Sequence, residues 1–324
     1  MASGTAPVLL LGVPAGTSLA LDLGPTTGET SSERFRGFAN VPFGLHLLRM
    51  GDTEVQFFAH SALLPLKYVA GGEFVADDEF RANYAAAFAR GEFSTALVPY
   101  KDDAWPTLSR FITLDVLWHC NVRLGEWVTC GDVRFASTRR LELLKAVAPR
   151  DRFVQGFAHM LRVFYADSRE RFLGELQLAF ALFLGASSLD ALQAWTGTLR
   201  LTADVGPPLA PAANDVVDVL ASQLRAFPQA LLDEAETSAL ARALQRIVGN
   251  AADAGAEARA CEALRERIRE VFGDGGGDGA RDDASNVEAA VVAVEAEGRR
   301  PLRVELLESD DEAAAPHERM AWML

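Results

Sequence analysis

The sequence predicts a two-domain α+β protein with an acidic tail. An N-terminal antiparallel β-sandwich-like domain with helical insertions spans 1–138, a linker 139–150, an all-α domain 151–272, and a tail 273–324. Three observations carry this. The hydrophobic period changes from two to 3.6 near Asp151. At 324 residues, 49% of them apolar, the chain is long enough for two cores. Charge is uneven: from Gly273 onward thirteen Asp and Glu face five Arg and no Lys, a balance of −8 within the total of −14.

The first stretch, "APVLLLGVPAGTSLALDL", places aliphatics before a Gly- and Pro-bearing loop. A phosphate-cradling loop would need GxxxxGK[ST] and a following helix. Here only three residues separate Gly12 from Gly16, no lysine follows, and "TSLALDL" alternates as a strand does. The loop reads as a tight turn between strands. "LHLLR", "EVQFFAH" and "LLPLKYV" read as further strands between turns. Two helical insertions interrupt them. "DDEFRANYAAAFAR" carries Phe80, Tyr84 and Phe88 on one face, and "WPTLSRFITLDVLW" opens near Pro106. "EWVTC" and "VRFAS" are expected to close the sheet.

Beyond Asp151, "DRFVQGFAHMLRVFYA" aligns Phe153, Phe157, Leu161 and Phe164. A second helix starts at the N-cap Ser168, ends at Gly185 and is apolar nearly all round, so it is expected among other helices. Ser188 caps a third, with Leu189, Leu192, Trp195 and Leu199 inside. A fourth runs from Asn214 to before Pro228, and "ETSALARALQRIVG" and "AEARACEALRERIREVFG" supply two more. In the tail, "EAAVVAVEAE" and "PLRVELLES" alternate like strands. Three fates are open to them: strand addition to a partner's sheet, folding back onto the N-terminal sheet, or disorder.

Chemistry-bearing patterns are sparse. The cysteines Cys120, Cys130 and Cys261 leave one unpaired and show no CxxC, so neither disulfide framework nor zinc site is expected. Each lone histidine reads as a core or surface residue, and adjacency sends His119 and Cys120 apart. Glu175 sits in an apolar helix without a second carboxylate at useful spacing, and reads as partner-facing or ion-paired. The negative charge disfavours direct nucleic-acid binding. No run of about 18 apolar residues and no charged leader segment appears, which predicts a soluble, intracellular chain.

Five stretches, "LLLGVPAGTSLALD", "FRGFANVPFGLHLL", "VPYKDDAWPTLSRFITL", "LGELQLAFALFLGASSLDALQAW" and "PLRVELLES", resemble in order the cistron-splicing factor family Aar-two, assembly factors of the U-five small nuclear ribonucleoprotein. The resemblance implies a VHS-like helical domain and no catalytic activity or cofactor. It implies a role in mRNA splicing and snRNP assembly, in cytoplasm and nucleus, with no membrane and a monomeric free state. The implied partner is the particle's large scaffold protein, bridged between its RNase H-like and Jab/MPN-like domains. The factor would hold off the RNA helicase and RNA until maturation. The implied partner-binding strand is Leu302, Arg303, Val304, Glu305, Leu306 and Leu307, with "EAAVVAVE" a second candidate. Ser309, in "ESDDE", is a candidate phosphosite. A generic helical adaptor and a nucleotide-using enzyme are the alternatives; the absence of a repeat of about 34 residues speaks against the first.

Overall fold

The computed structural model describes residues 4–24, 36–51, 54–69, 74–77, 81–93, 96–136, 156–204, 212–228 and 234–273, all within one compact unit, Met1–Gly276. The fold is α+β, with sheets in the N-terminal part and helices in the C-terminal part. The predicted linker and nearly all of the acidic tail lie outside the described residues.

Among the described residues nine strands form two sheets: β1 (Thr5–Leu11), β2 (Leu19–Leu21), β3 (Gly37–Pro42), β4 (Gly44–Met50), β5 (Glu54–His60), β6 (Leu64–Tyr68), β7 (Phe74–Ala76), β8 (Leu97–Pro99) and β9 (Trp127–Val128). The first sheet has the order β7-β6-β1-β3-β8, the second β2-β4-β5-β9. The opening "GVPAGT" is a turn, as expected, but it carries the chain from one sheet to the other. There the Thr17 N–H and O–H both donate to the Pro14 carbonyl.

The antiparallel expectation needs correction. The second sheet is antiparallel, but β1 runs parallel to β6, and β3 parallel to β8. The reason is connectivity. Neither pair is joined by a hairpin: β1 reaches β6, and β3 reaches β8, through intervening strands that include the β4–β5 hairpin of the other sheet, and such long crossovers allow parallel pairing. The central pair is tight: at Gly37 (φ 129°) a Cβ would run into the Val8 carbonyl of β1.

The second sheet is buried on both faces, which explains the unbroken apolar runs in its strands. Leu48 and Phe58 join Val8, Leu10, Phe38 and Val41 between the sheets. Their neighbours Leu47 and Phe57 point the other way, into a core continuous with Trp105, Val116, Phe172, Phe180 and Leu264.

Within the insertions, α1 (Arg81–Ala89) buries only Ala87, and Phe88 is exposed; Phe80 lies outside the described residues. The single helix predicted from Trp105 is two short ones, α2 (Trp105–Leu108) and α3 (Leu114–His119). Thr113 separates them in extended conformation, its hydroxyl accepting the Val116 N–H at 3.3 Å as an N-cap. Of the expected closing strands, only Trp127–Val128 pairs. The described part of "VRFAS", 133–136, is no strand: a capping box between Thr129 and Asp132 turns the chain, and Val133 and Phe135 then enter the core.

Six helices follow among the described residues: α4 (Gly156–Tyr165), α5 (Arg169–Ala186), α6 (Leu189–Asp204), α7 (Ala213–Ala226), α8 (Glu234–Asp253) and α9 (Ala258–Phe272). Helix α5 is the hub, packed by α3, α6, α7, β4 and β5 and buried nearly all round. Ser168 and Ser188 act as the predicted caps, accepting the N–H groups of Arg171 and Ala191. Three details differ. The left-handed residue ending α5 is Ser187, not Gly185. Leu189 is 70% exposed, because it is the first residue of α6, one turn short of the packed stripe of Leu192, Trp195 and Leu199. Asn214 sits inside the first turn of α7, and its side-chain oxygen accepts the Glu257 N–H. Phe153 and the side chain of Phe157 lie outside what is described.

Candidate partner-binding surface

The predicted partner strand, Leu302 to Leu307, and Ser309 lie beyond the last described residue, as does "EAAVVAVE". Glu175 is described, and of the two expectations for it, partner-facing or ion-paired, the first does not hold. It is 1% exposed and points into the core, where Tyr165 O–H donates to Oε1 (3.1 Å) and the Ala136 N–H to Oε2 (3.0 Å). The Cys120 thiol approaches the same carboxylate at 3.9 Å. Burial first, then the Glu175 charge, push that thiol well above its ordinary range, which keeps it protonated.

A second polar cluster brings together residues far apart in sequence. Asp22 follows β2, His46 lies on β4, Tyr100 follows β8 and His60 ends β5. His46 Nδ1 lies 2.8 Å from Asp22 Oδ2, to which the Tyr100 hydroxyl also donates at 2.7 Å. Asp22 Oδ1 accepts the Leu47 N–H at 2.8 Å. His46 Nε2 lies 2.7 Å from the Pro42 carbonyl, which only accepts, so Nε2 carries a hydrogen. Asp22 is fully buried and His46 nearly so.

Burial pushes the Asp22 carboxyl up while its three donors push back. Burial likewise opposes a charge on His46, but the Asp22 hydrogen bond and charge outweigh it and raise the imidazole. The pair thus holds one proton. His60 is the opposite case: burial, then the neighbouring His46 charge, push it down to about 4, and it stays neutral with Nε2–H donating to the Ala6 carbonyl at 3.1 Å. Both histidines are core residues that tie the two sheets together.

These shifts predict opposing pH trends. His60 costs stability as pH falls from about 6.5 toward 4, since only the unfolded chain takes up that proton. The raised His46 contributes fully below about 6.5, and its contribution is lost as pH rises through the folded value. The raised Asp22 works against His60 on the acid side, since its folded form keeps a proton that the unfolded chain gives up above 3.8. Thermal unfolding between pH 6.5 and 4 should therefore lose less stability toward acid in His60→Phe than in the parent. An unchanged acid limb in that variant would refute the assignment.

The surface that does face outward is on α3. Leu114 and Trp118, four residues apart and hence on one helix face, are 48% and 72% exposed. On the opposite face Val116 and Leu117 are buried. Asp115 anchors the helix to α5 through two hydrogen bonds to Arg171, 2.6 and 2.8 Å. Arg110 lies 4.8 Å over the Phe111 ring and Arg123 5.8 Å over the Trp118 ring. Trp118, Asn121, Val122 and Arg123 line a recess of about 190 Å³. Asn121 holds its floor in the left-handed conformation (φ 61°), its amide donating to the Asp132 carbonyl at 3.2 Å. Sequence reasoning missed this face; the pair Leu114 and Trp118 at i, i+4 was the signal that could have found it.

Among the described residues no cluster of His, Cys, Asp and Glu is placed to hold a metal, and no helix is long and apolar enough to cross a membrane. A family model described as the AAR2 N-terminal domain matches residues 4–122. A second, the AAR2 C-terminal repeat region, matches residues 154–273. No curated protein matches the chain.

Proposed function

The chain belongs to the AAR2 family, and we propose that it is a non-enzymatic assembly factor that binds the large scaffold protein of the U-five small nuclear ribonucleoprotein. The family is one of splicing and snRNP assembly factors. The observation that carries the reading is the match of both family models, in order, across the sheet and helical parts. In this role the factor occupies the scaffold's RNase H-like and Jab/MPN-like domains and keeps the RNA helicase and RNA away until maturation. It works as a monomer without cofactor, in cytoplasm and nucleus, with its helices as a VHS-like superhelix. A pull-down of the tagged chain from splicing-competent extract tests this. The scaffold should co-purify without its helicase; absence of the scaffold would refute the proposal.

The acidic tail supplies the bridging strand through Leu302, Arg303, Val304, Glu305, Leu306 and Leu307, by backbone hydrogen bonds to a sheet edge of the scaffold. Deleting 274–324 should weaken scaffold binding by about tenfold or more, roughly 1.4 kcal/mol, with no change in the melting temperature of the remainder. Equal affinity in a calorimetric titration would remove the tail from the mechanism. Phosphorylation of Ser309 would add about −1.5 to −2 charges beside that strand, and Ser309→Glu in the same titration should loosen it. Binding as tight as the parent's would exclude the switch.

A further inference from the structure

We propose that the exposed face of α3, with the recess beside Trp118, docks a short acidic, amphipathic segment of a partner protein: an apolar side chain enters the recess and a flanking carboxylate meets Arg123. The inference goes beyond the scaffold reading, because it holds for whichever protein offers the segment.

Four observations converge. First, Leu114 and Trp118 project from a helix whose other face is fully engaged, so the apolar area they expose is not a by-product of a loose element. A tryptophan exposed to 72% beside an arginine is the composition that dominates binding energy at protein interfaces. Second, the helix is held rigidly. Thr113 caps it, and Asp115 is pinned bidentately to Arg171 on α5. The face is therefore pre-organised, which lowers the entropic cost of docking. Third, the recess of about 190 Å³ is lined by one aromatic, one aliphatic, one amide and one guanidinium group, enough to seat a single apolar side chain.

The fourth observation fixes the partner's charge. At the recess, Arg123 meets Glu126 only at 3.7 Å, with the arginine side chain 60% exposed. An exposed pair at such a distance contributes little, so the guanidinium group can turn to a carboxylate at small cost. It already lies over the Trp118 ring, so an incoming acid adds a charge partner without dismantling that contact. A second copy of the chain fits less well, since a two-fold contact through this face would set arginine against arginine. Single-stranded RNA could stack a base on Trp118, but one cation at the recess of a chain of net charge −14 forms no backbone-tracking groove.

The test uses the full chain and fluorescence anisotropy. Its probes are a labelled peptide of about twelve residues alternating Leu or Phe with Glu, the same peptide with Lys for every Glu, and an oligouridylate of similar length. The acidic peptide should bind at least about tenfold more tightly than the other two. Trp118→Ser should weaken it about tenfold or more, and Arg123→Glu should shift preference toward the lysine peptide, with thermal unfolding unchanged in both. The proposal is overturned if the parent does not bind the acidic peptide, if both variants bind it as the parent does, or if the oligouridylate binds best. Self-association that Trp118→Ser abolishes, measured by sedimentation, would assign the face to a second copy instead.

Discussion

Asp22→Ala is expected to lower the free energy of unfolding by about 3–5 kcal/mol, a large part of the roughly 5–15 kcal/mol typical of a folded protein. The carboxylate accepts from three donors: the His46 ring, the Tyr100 hydroxyl and the Leu47 N–H. Removing it strands all three inside the interface between the sheets, and leaves the imidazole either charged without a counter-ion or forced neutral. A backbone cost adds to this, because Asp22 occupies the left-handed region (φ 56°), which Asp and Asn tolerate better than alanine. Asp22→Asn should therefore lose distinctly less, keeping the conformation and one acceptor. Urea unfolding reads the effect as a lower midpoint at constant slope. A loss below about 1 kcal/mol for the alanine variant would show the cluster to be dispensable.

Gly174→Ala is expected to destabilise by about 2–3 kcal/mol, against the sign that helix propensity dictates. In an ordinary helix interior alanine is worth about 1 kcal/mol over glycine. At Gly174 of α5, however, a Cβ would meet the Phe111 carbonyl and the Val116 methyls of the segment around α3. A backbone carbonyl cannot rotate aside, so the segment must lift from α5. That movement strains the two hydrogen bonds of Gln177, to the Phe111 N–H at 2.7 Å and the Thr107 carbonyl at 2.9 Å. Gly249 on α8 is the matched control: a Cβ there meets nothing within 4 Å, and Gly249→Ala should stabilise by up to about 1 kcal/mol. Stabilisation by both substitutions would mean that α5 does not press on this segment.

Much of the fold was legible because local rules and tertiary demands agree. The serine caps at Ser168 and Ser188 mark helix starts by satisfying free N–H groups, and that needs only neighbouring residues. The burial of α5 could be read from apolar residues on all its faces. Strands β4 and β5 were also recognisable, although their consecutive pairs, Leu47 with Leu48 and Phe57 with Phe58, had no evident meaning until a helical layer was found behind the second sheet. Where local rules conflict, the reading failed. The stretch from Trp105 carries continuous helical period, yet Thr113 caps a new helix and splits it. Leu189 fits an apolar stripe, but the first residue of a helix lies beyond the packed contact.

The candidate site shows the same division more sharply. The tail strand was proposed from alternation and from the family resemblance, and it lies outside the described residues. The α3 face and the Asp22–His46 cluster have almost no local signature. His46 is 24 residues from Asp22, and Tyr100 is 78. By itself, the amino-acid order determined which segments are strands or helices, where most helices begin, and to which family the chain bears likeness, because those depend on period, capping and short-range pattern. Only the tertiary structure decided which strands run parallel, which carboxylates are sealed inside, and that Trp118 is left facing water. These follow from the packing of distant segments, and no spacing along the chain encodes which side of a helix that packing leaves uncovered.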